Sequence, residues 1–214
     1  DQFFSRLDQY TLGGIVDIER GSVMFIRLSL AATLLLLANL AVAADVTPPT
    51  DDAARANALS QQLGERLKVA LQAAIKQGGP MAAITVCRDE AGPIAADVSR
   101  ESGWTVGRTA LRVRNPANAP DAWERQILEG FVMAAEDGAN VAGLSFQETT
   151  GSGEAQRWRY MKAIPTGPMC TACHGSNIDP ALEEAIRASY PEDQATGFAP
   201  GSLRGAFTVS HPTL

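Results

Sequence analysis

Residues 144–164, LSFQETTGSGEAQRWRYMKAI, hold two β-prone segments separated by a glycine-rich turn. The second segment alternates Trp158 and Tyr160 with charged residues, which is typical of a strand with one buried face. Gly151 and Gly153 favour the sharp chain reversal that joins two antiparallel strands. These residues therefore predict an antiparallel hairpin.

Outside the hairpin, periodicity and turn signals predict further helices and strands. One helix is predicted over residues 59–75, a second begins at the capping box of Asp121 and Glu124, and a third begins at Asp179-Pro180. The strands are predicted over residues 104–113 and 203–209. Residues 82–87 fit either a strand or the first turn of another helix. Helices combined with an antiparallel sheet predict a single domain of the α+β class.

The composition is that of an ordinary folded domain. The 214 residues are 45% hydrophobic and 20% charged, which fits one globular domain. The net charge is −6 and basic residues do not cluster, so nucleic acid and anionic membrane surfaces are not expected partners. Three cysteines are too few for a disulfide-built scaffold, and with only two histidines they limit the metal sites that the chain can form.

Residues 24–43 have the pattern of a secretory signal peptide. Arg27 precedes a leucine-rich core, and Ala41 and Ala43 are the small residues of a cleavage site. We therefore expect a mature chain that begins at Ala44, in the periplasm, without a stable membrane anchor. A retained anchor is the alternative, although the apolar span barely reaches the roughly 20 residues that a spanning helix needs. The predicted division of the chain is an upstream extension without a functional role over residues 1–23, the signal peptide over 24–43, a mobile leader over 44–54 and the folded domain over 55–214.

The hairpin is followed by Cys170-Thr171-Ala172-Cys173-His174, the pattern of haem attachment in c-type cytochromes. Two thiols on one helical turn can form thioethers with the two haem vinyl groups, and His174 is then placed to bind the iron. A thioredoxin-like redox pair, half of a zinc site and an ordinary disulfide are the alternatives. The first lacks a βαβ context, and zinc would need about four ligands. The sequence therefore predicts one covalent haem c held by Cys170, Cys173 and His174.

The motif does not fix the second axial ligand of the iron. Cys87 is the unpaired thiol of an exported protein, and coordination as a thiolate would protect it. An equally good interpretation of Cys87 is a small buried residue at the end of an apolar run. The other candidates are no ligand at all, His211 near a chain end where chains usually fray, Met169 beside Cys170, and Met81, Met133 and Met161.

Several long stretches of the chain resemble one known family. They are residues 84–88 (ITVCR), 114–124 (RNPANAPDAWE), 160–175, 190–191, 195–198 and 204–207, within a resemblance that covers roughly residues 59–209. The family is that of the PAS-like single-haem c-type proteins, which occur alone in the periplasm and as sensory ectodomains of kinases and chemoreceptors. The resemblance implies a PAS-like fold, with a central antiparallel sheet flanked by helices. It also implies a haem ligated by the motif histidine and an unusual cysteine, here His174 and Cys87.

Haem propionates need cationic or hydroxyl partners, and residues in and near the predicted strands offer several. The candidates are Arg108, Arg112, Arg114, Tyr160 and Lys162. A solvated strand face is the alternative interpretation of arginines that alternate with apolar residues.

These observations predict a periplasmic monohaem c-type cytochrome that transfers single electrons to a redox partner protein, which the sequence does not identify. A haem-based sensor of redox state or of a diatomic gas is the alternative, and the family's sensory ectodomains support it. A haem peroxidase fits less well, since it would need an open iron face and a general acid or base. We therefore expect an electron carrier or a sensor rather than an enzyme.

Overall fold

The hairpin predicted from residues 144–164 forms one edge of a four-stranded antiparallel sheet. A computed structural model describes residues 52–213, and its strands are β1 (Thr105–Thr109), β2 (Ser145–Thr150), β3 (Arg157–Pro165) and β4 (Leu203–Pro212). The strand order is β1-β4-β3-β2, and each neighbouring pair is antiparallel. The last strand of the chain therefore lies inside the sheet, between β1 and β3.

The helices of the described residues are α1 (Asp52–Thr85), α2 (Ala91–Ser102), α3 (Ala122–Glu136), the single turn α4 (Thr171–His174) and α5 (Pro180–Ser189). Both capping signals are confirmed, because Asp121 and Glu124 form a capping box at α3 and the Asp179 carboxylate caps α5. Helix α1 begins at Asp52, slightly before the predicted start of the folded domain at residue 55. The helices and the antiparallel sheet confirm the α+β class.

Helix α1 changes direction at Gly78 and Gly79. Gly79 has φ 69° and ψ −170°, a combination essentially restricted to glycine, and Pro80 follows at the start of a new helical turn. A π-helical turn, Val86–Glu90, then joins this segment to α2. Residues 82–87, which fitted either a strand or a helix, are therefore helical.

Helices α1 and α2 cover one face of the sheet. Their apolar side chains pack with strand residues that point to that face, including Val106, Tyr160 and Val209. Helix α3 covers the other face, where Arg159 of β3 forms an ion pair with Asp121 at 2.7 Å. Successive residues of β3 therefore point into two different layers of the domain.

His211 is held in the sheet, so the expectation of a frayed chain end at this residue was wrong. It lies in β4 opposite Trp158, and its ring centroid is 4.3 Å from that of Trp104 and 5.6 Å from that of Trp158. Its Nε2 atom is 3.3 Å from a carboxylate oxygen of Asp52. These contacts join the last strand to the beginning of α1.

The predicted upstream extension, the signal peptide and all but the last residues of the mobile leader lie outside the described residues. The predictions for these segments remain predictions. Within residues 52–213, none of the helices combines the length and the apolar character that crossing a bilayer requires.

Candidate functional site

A cavity of about 590 Å³ lies between α1, α5, the end of the sheet and the C-x-x-C-H turn. This volume is within the range of pockets that bind small molecules and cofactors. Cys87, Cys170, Cys173 and His174 all line the cavity. The fold thus brings Cys87 to the C-x-x-C-H residues, from which it is distant in the sequence.

The lining of the cavity combines two kinds of chemistry. The helices α1 and α5 contribute apolar side chains, among them Leu71, Ile75, Ala83, Ile84 and Ile186. Strand β1, the loop that follows it and the beginning of β4 contribute polar and cationic side chains, namely Arg108, Thr109, Arg114, Asn115, Asn118 and Arg204. Such a lining suits a ligand with a large apolar body and negatively charged groups.

The C-x-x-C-H residues form a short helical segment after β3. A 3₁₀ turn, Pro168–Cys170, leads directly into α4, and the Thr171 hydroxyl donates to the Pro168 carbonyl oxygen at 2.8 Å. Gly175 ends the segment, and a Cβ atom at this position would lie 2.5 Å from the Thr171 carbonyl oxygen. Both thiols are free and lie three residues apart on one helical turn, at Cys170 and Cys173. This is the arrangement that the predicted thioether chemistry needs.

His174 is held in one orientation and one tautomer. Its Nδ1 atom is 2.6 Å from the Ala195 carbonyl oxygen, and because a carbonyl only accepts, Nδ1 carries the proton and donates. Burial, followed by the charges of Arg204 and Arg114, lowers the pKa of His174 to about 3. The imidazole is therefore neutral near pH 7, and its Nε2 atom has a lone pair for a metal ion.

Residues 193–198 pack against the C-x-x-C-H segment and form hydrogen bonds with it. The backbone amides of Gly197 and Phe198 donate to the carbonyls of Gly175 and His174, each at 2.8 Å. The Phe198 ring meets the His174 ring edge-on, with 6.5 Å between the centroids. The histidine is thus fixed by a second stretch of chain as well as by its own helical turn.

Cys87 reaches the cavity from the π-helical turn that follows α1. Burial raises the pKa of the Cys87 thiol, and three positive charges act in the opposite direction, those of Arg108, Arg114 and Arg204. These cations favour the thiolate, the form in which cysteine binds metals. Cys87 is therefore a thiol in apolar surroundings that a metal ion could convert to a sulfur ligand.

Two of the predicted propionate partners, Arg108 and Arg114, line the cavity. Arg114 is already engaged, because it forms an ion pair with Asp193 at 2.9 Å. Sequence reasoning missed Arg204, which also lines the cavity; its only signal was its place in the segment 204–207 that resembles the family. Burial and then the charges of Arg114 and Arg108 lower the pKa of Arg204 to about 10. Arg108 and Arg204 are thus the guanidinium groups available to an anionic ligand.

The other predicted partners, Arg112, Tyr160 and Lys162, are not among the residues that line this cavity. Arg112 lies over the Phe198 ring, 4.5 Å from its centroid. Tyr160 is buried in the core beneath α1, and its ring stacks on that of Trp158. Alternation along β3 determines which face a side chain is on, but the cavity begins only at the far end of that strand.

Most of the other candidate axial ligands also do not line the cavity. Met81 and Met133 are exposed, Met161 is fully buried, and His211 lies against tryptophan rings. Met169 does line the cavity, but it adjoins Cys170. Within residues 52–213 no group of three or more His, Cys, Asp or Glu side chains could hold a metal ion by itself.

The domain is of the α+β class, with a four-stranded antiparallel sheet and helices on both of its faces. Its cavity is lined by the C-x-x-C-H turn. The sequence matches the model of the Tll0287-like family over residues 38–212, and the chain belongs to that family. This confirms the family that the resemblance predicted.

The chain is also similar to a solved structure, described as the crystal structure of the cyanobacterial heme-protein Tll0287. The TM-score is 0.55 and the sequence identity 27%, and the match covers 77% of this chain and 97% of that chain. No protein with curated annotation matches the sequence.

Proposed function

We propose that this protein is a PAS-like c-type haem protein that binds one haem through thioether bonds to Cys170 and Cys173. The observation that carries the proposal is the state of His174, whose Nδ1 atom is engaged by Ala195 while Nε2 is available beside the two thiols. The similarity to a solved haem protein supports it. When bound, haem supplies an iron that exchanges one electron between its ferric and ferrous states.

The residues of the cavity fit this group. The apolar side chains of α1 and α5 suit a porphyrin body, and burying such a surface is favourable. Arg108 and Arg204 supply charge-assisted hydrogen bonds to propionates. Arg114 is kept from that role by its ion pair with Asp193.

His174 and Cys87 are the proposed axial ligands. Both line the cavity, and the three neighbouring guanidinium groups favour the thiolate form of Cys87. An anionic sulfur ligand donates electron density and favours ferric iron, so we expect a low reduction potential. With both axial positions filled, the protein transfers single electrons to a redox partner protein and is not an enzyme.

We propose the periplasm as the place of action, because of the signal pattern in residues 24–43. Cell fractionation and N-terminal sequencing test this location. The expected product is a periplasmic chain that begins at or next to Ala44. A chain that still begins at Met24 in the membrane fraction would show that the segment is an anchor.

A sensor of redox state or of a diatomic gas is the second candidate, and one observation favours it. Cys87 lies in the π-helical turn that follows the Gly79 kink, and such turns are frequent at functional sites. Release of Cys87 would leave one axial position for a gas. A carbon monoxide difference spectrum of the reduced protein separates the candidates, because an unchanged spectrum supports the carrier and a shifted one the sensor.

Covalent attachment is tested by producing the protein with the cytochrome c maturation machinery and staining a denaturing gel for haem. The wild type and Cys87→Ser should stain equally, and the double variant Cys170→Ala/Cys173→Ala should not stain. Cys87→Ser is the matched control because it removes a cysteine from the same cavity. Wild-type haem that passes into acidified organic solvent would contradict the proposal.

A further inference from the structure

Arg114 and Asp193 form an ion pair in the interior, next to the C-x-x-C-H turn. Their charged atoms approach to 2.9 Å, and the side chains are only 9% and 6% exposed. The Nε atom of Arg114 makes a second hydrogen bond to the same carboxylate oxygen at 3.1 Å. A buried ion pair is weak evidence for stabilisation, because desolvation offsets much of the attraction. Its position therefore suggests a role beyond stability.

The pair holds both polar groups of Ala195. The Asp193 carboxylate accepts from the Ala195 amide at 2.8 Å, and Arg114 donates to the Ala195 carbonyl at 3.3 Å. Arg114 also donates to the Cys173 carbonyl at 2.6 Å. The same Ala195 carbonyl accepts the hydrogen bond from His174. One carbonyl oxygen is thus shared between a guanidinium and the imidazole.

This sharing connects the ion pair to the electron-donating strength of the imidazole. A guanidinium that donates to the carbonyl draws density from it and weakens its hold on the His174 proton, and a nearby carboxylate offsets that charge. Histidine ligands become more basic when the second ring nitrogen donates to a stronger acceptor. The balance between the two charges therefore acts on His174 through Ala195.

We propose that Arg114 and Asp193 are positioning residues whose opposed charges set the hydrogen bond from His174 to Ala195 and, through it, the ferric/ferrous balance of the bound iron. The inference rests on the proposed function, in which His174 is the axial ligand.

The test is the midpoint potential of the holoprotein, measured by redox titration followed in the visible spectrum. Asp193→Asn leaves an unbalanced positive charge beside the histidine and should favour the ferrous state by roughly tenfold, about 59 mV for one electron. Arg114→Gln should shift the balance by a similar factor toward the ferric state. The double variant Arg114→Gln/Asp193→Asn should return to within about threefold of the wild type. Shifts of the same sign in both single variants would overturn the proposal, because a loosened loop has no reason to depend on the sign of the charge.

Two controls complete the experiment. Asp97→Asn and Arg100→Gln make the same charge changes in an exposed ion pair on α2, and neither should shift the potential. If a single variant fails to fold, the potential of Arg114→Lys decides, since lysine keeps the positive charge beside Ala195. A balance within about threefold of the wild type supports the proposal, and a shift of roughly tenfold or more toward the ferric state, as large as that expected on losing the charge, overturns it. A wild type without covalent haem would overturn the proposed function as well, whereas a normal haem spectrum with insensitive potentials would overturn this inference alone.

Discussion

The cavity has a histidine side, residues 170–175 with 193–198, and a cysteine side, residues 80–90, and the two are held differently. Hydrogen bonds between separate stretches of chain lock the histidine side, as in the two backbone bonds at 2.8 Å and the bond from His174 to Ala195. The cysteine side is a helical segment that begins after a kink and ends in a π-helical turn, and it packs on α5 through Ile84. From this difference we infer that His174 is the permanent ligand and Cys87 the exchangeable one.

His174 and Cys87 also differ in the charge that each would bring to the iron. His174 is neutral as a ligand, so its attraction to the iron depends little on the oxidation state. A thiolate at Cys87 loses part of its electrostatic attraction when ferric iron is reduced. In the proposed function, the ligand with the weaker structural support would therefore also be the one whose bond responds to reduction. The carrier and the sensor would then be two states of one site.

Removal of each ligand should give the largest effect. His174→Ala should abolish the low-spin ferric spectrum and lower the yield of holoprotein, because the imidazole also anchors residues 193–198.

Cys87→Ser should retain haem, lose the ferric thiolate signature in electron paramagnetic resonance, and raise the midpoint potential by on the order of 0.1 V. If the spectrum and the potential of Cys87→Ser were unchanged, Cys87 would be a packing residue only, and Met169 would be the next candidate to test.

A change at the kink tests how the cysteine side is held. Gly79→Ala places a side chain at φ 69° and ψ −170°, which should cost about 1–3 kcal/mol in the free energy of unfolding. Because the strain can be relieved by moving residues 80–90, the thiolate signature should weaken and the reduced protein should bind carbon monoxide more readily. Urea unfolding and the two spectra measure these effects.

The control for this change is Gly92→Ala in α2, where a Cβ atom meets no neighbour within 4 Å. Alanine is favoured over glycine inside a helix by roughly 0.5–1 kcal/mol, so this variant should be as stable as the wild type or slightly more stable. A Gly79→Ala protein that behaved like Gly92→Ala would show that the kink does not constrain Cys87.

The two sides also differ in how far the sequence predicted them. The C-x-x-C-H turn and its histidine are a local pattern, so their geometry follows from spacing alone. The position of Cys87 depends on a helix kink and on packing across the domain, and the residues left its role open until the family resemblance was considered. Arg204 and Asp193 were missed because their roles depend on groups that only the fold brings near, and His211 was misjudged because β4 lies inside the sheet.

The propionate candidates show the limit of strand alternation. Tyr160 and Lys162 have the same parity on β3 as Ile164, which lines the cavity. Helix α1 covers the sheet at Tyr160, so parity alone did not distinguish a residue in the core from one at the cavity. Whether a residue of β3 is covered by α1 or faces the cavity depends on how far α1 extends along the sheet. The sequence of the strand alone does not contain this information.

The smallest expected effect compares two arginines that the sequence treated alike. Arg108→Gln removes a positive charge from the lining of the cavity and should favour the ferric state by roughly threefold, about 30 mV for one electron. Arg112→Gln removes the same charge from an exposed residue outside that lining, whose guanidinium donates to the Gln194 and Thr196 carbonyls. Solvent and salt screen this charge, so the midpoint potential should shift by much less than in Arg108→Gln. Equal shifts in the two variants would show that the potential responds to net charge and not to a guanidinium in the cavity, and the propionates would then need another partner, with Arg204 the remaining choice. A shift that is larger in Arg108→Gln would assign one anionic group of the cofactor to the part of the cavity wall that β1 forms, where the charge of Arg108 acts on Cys87.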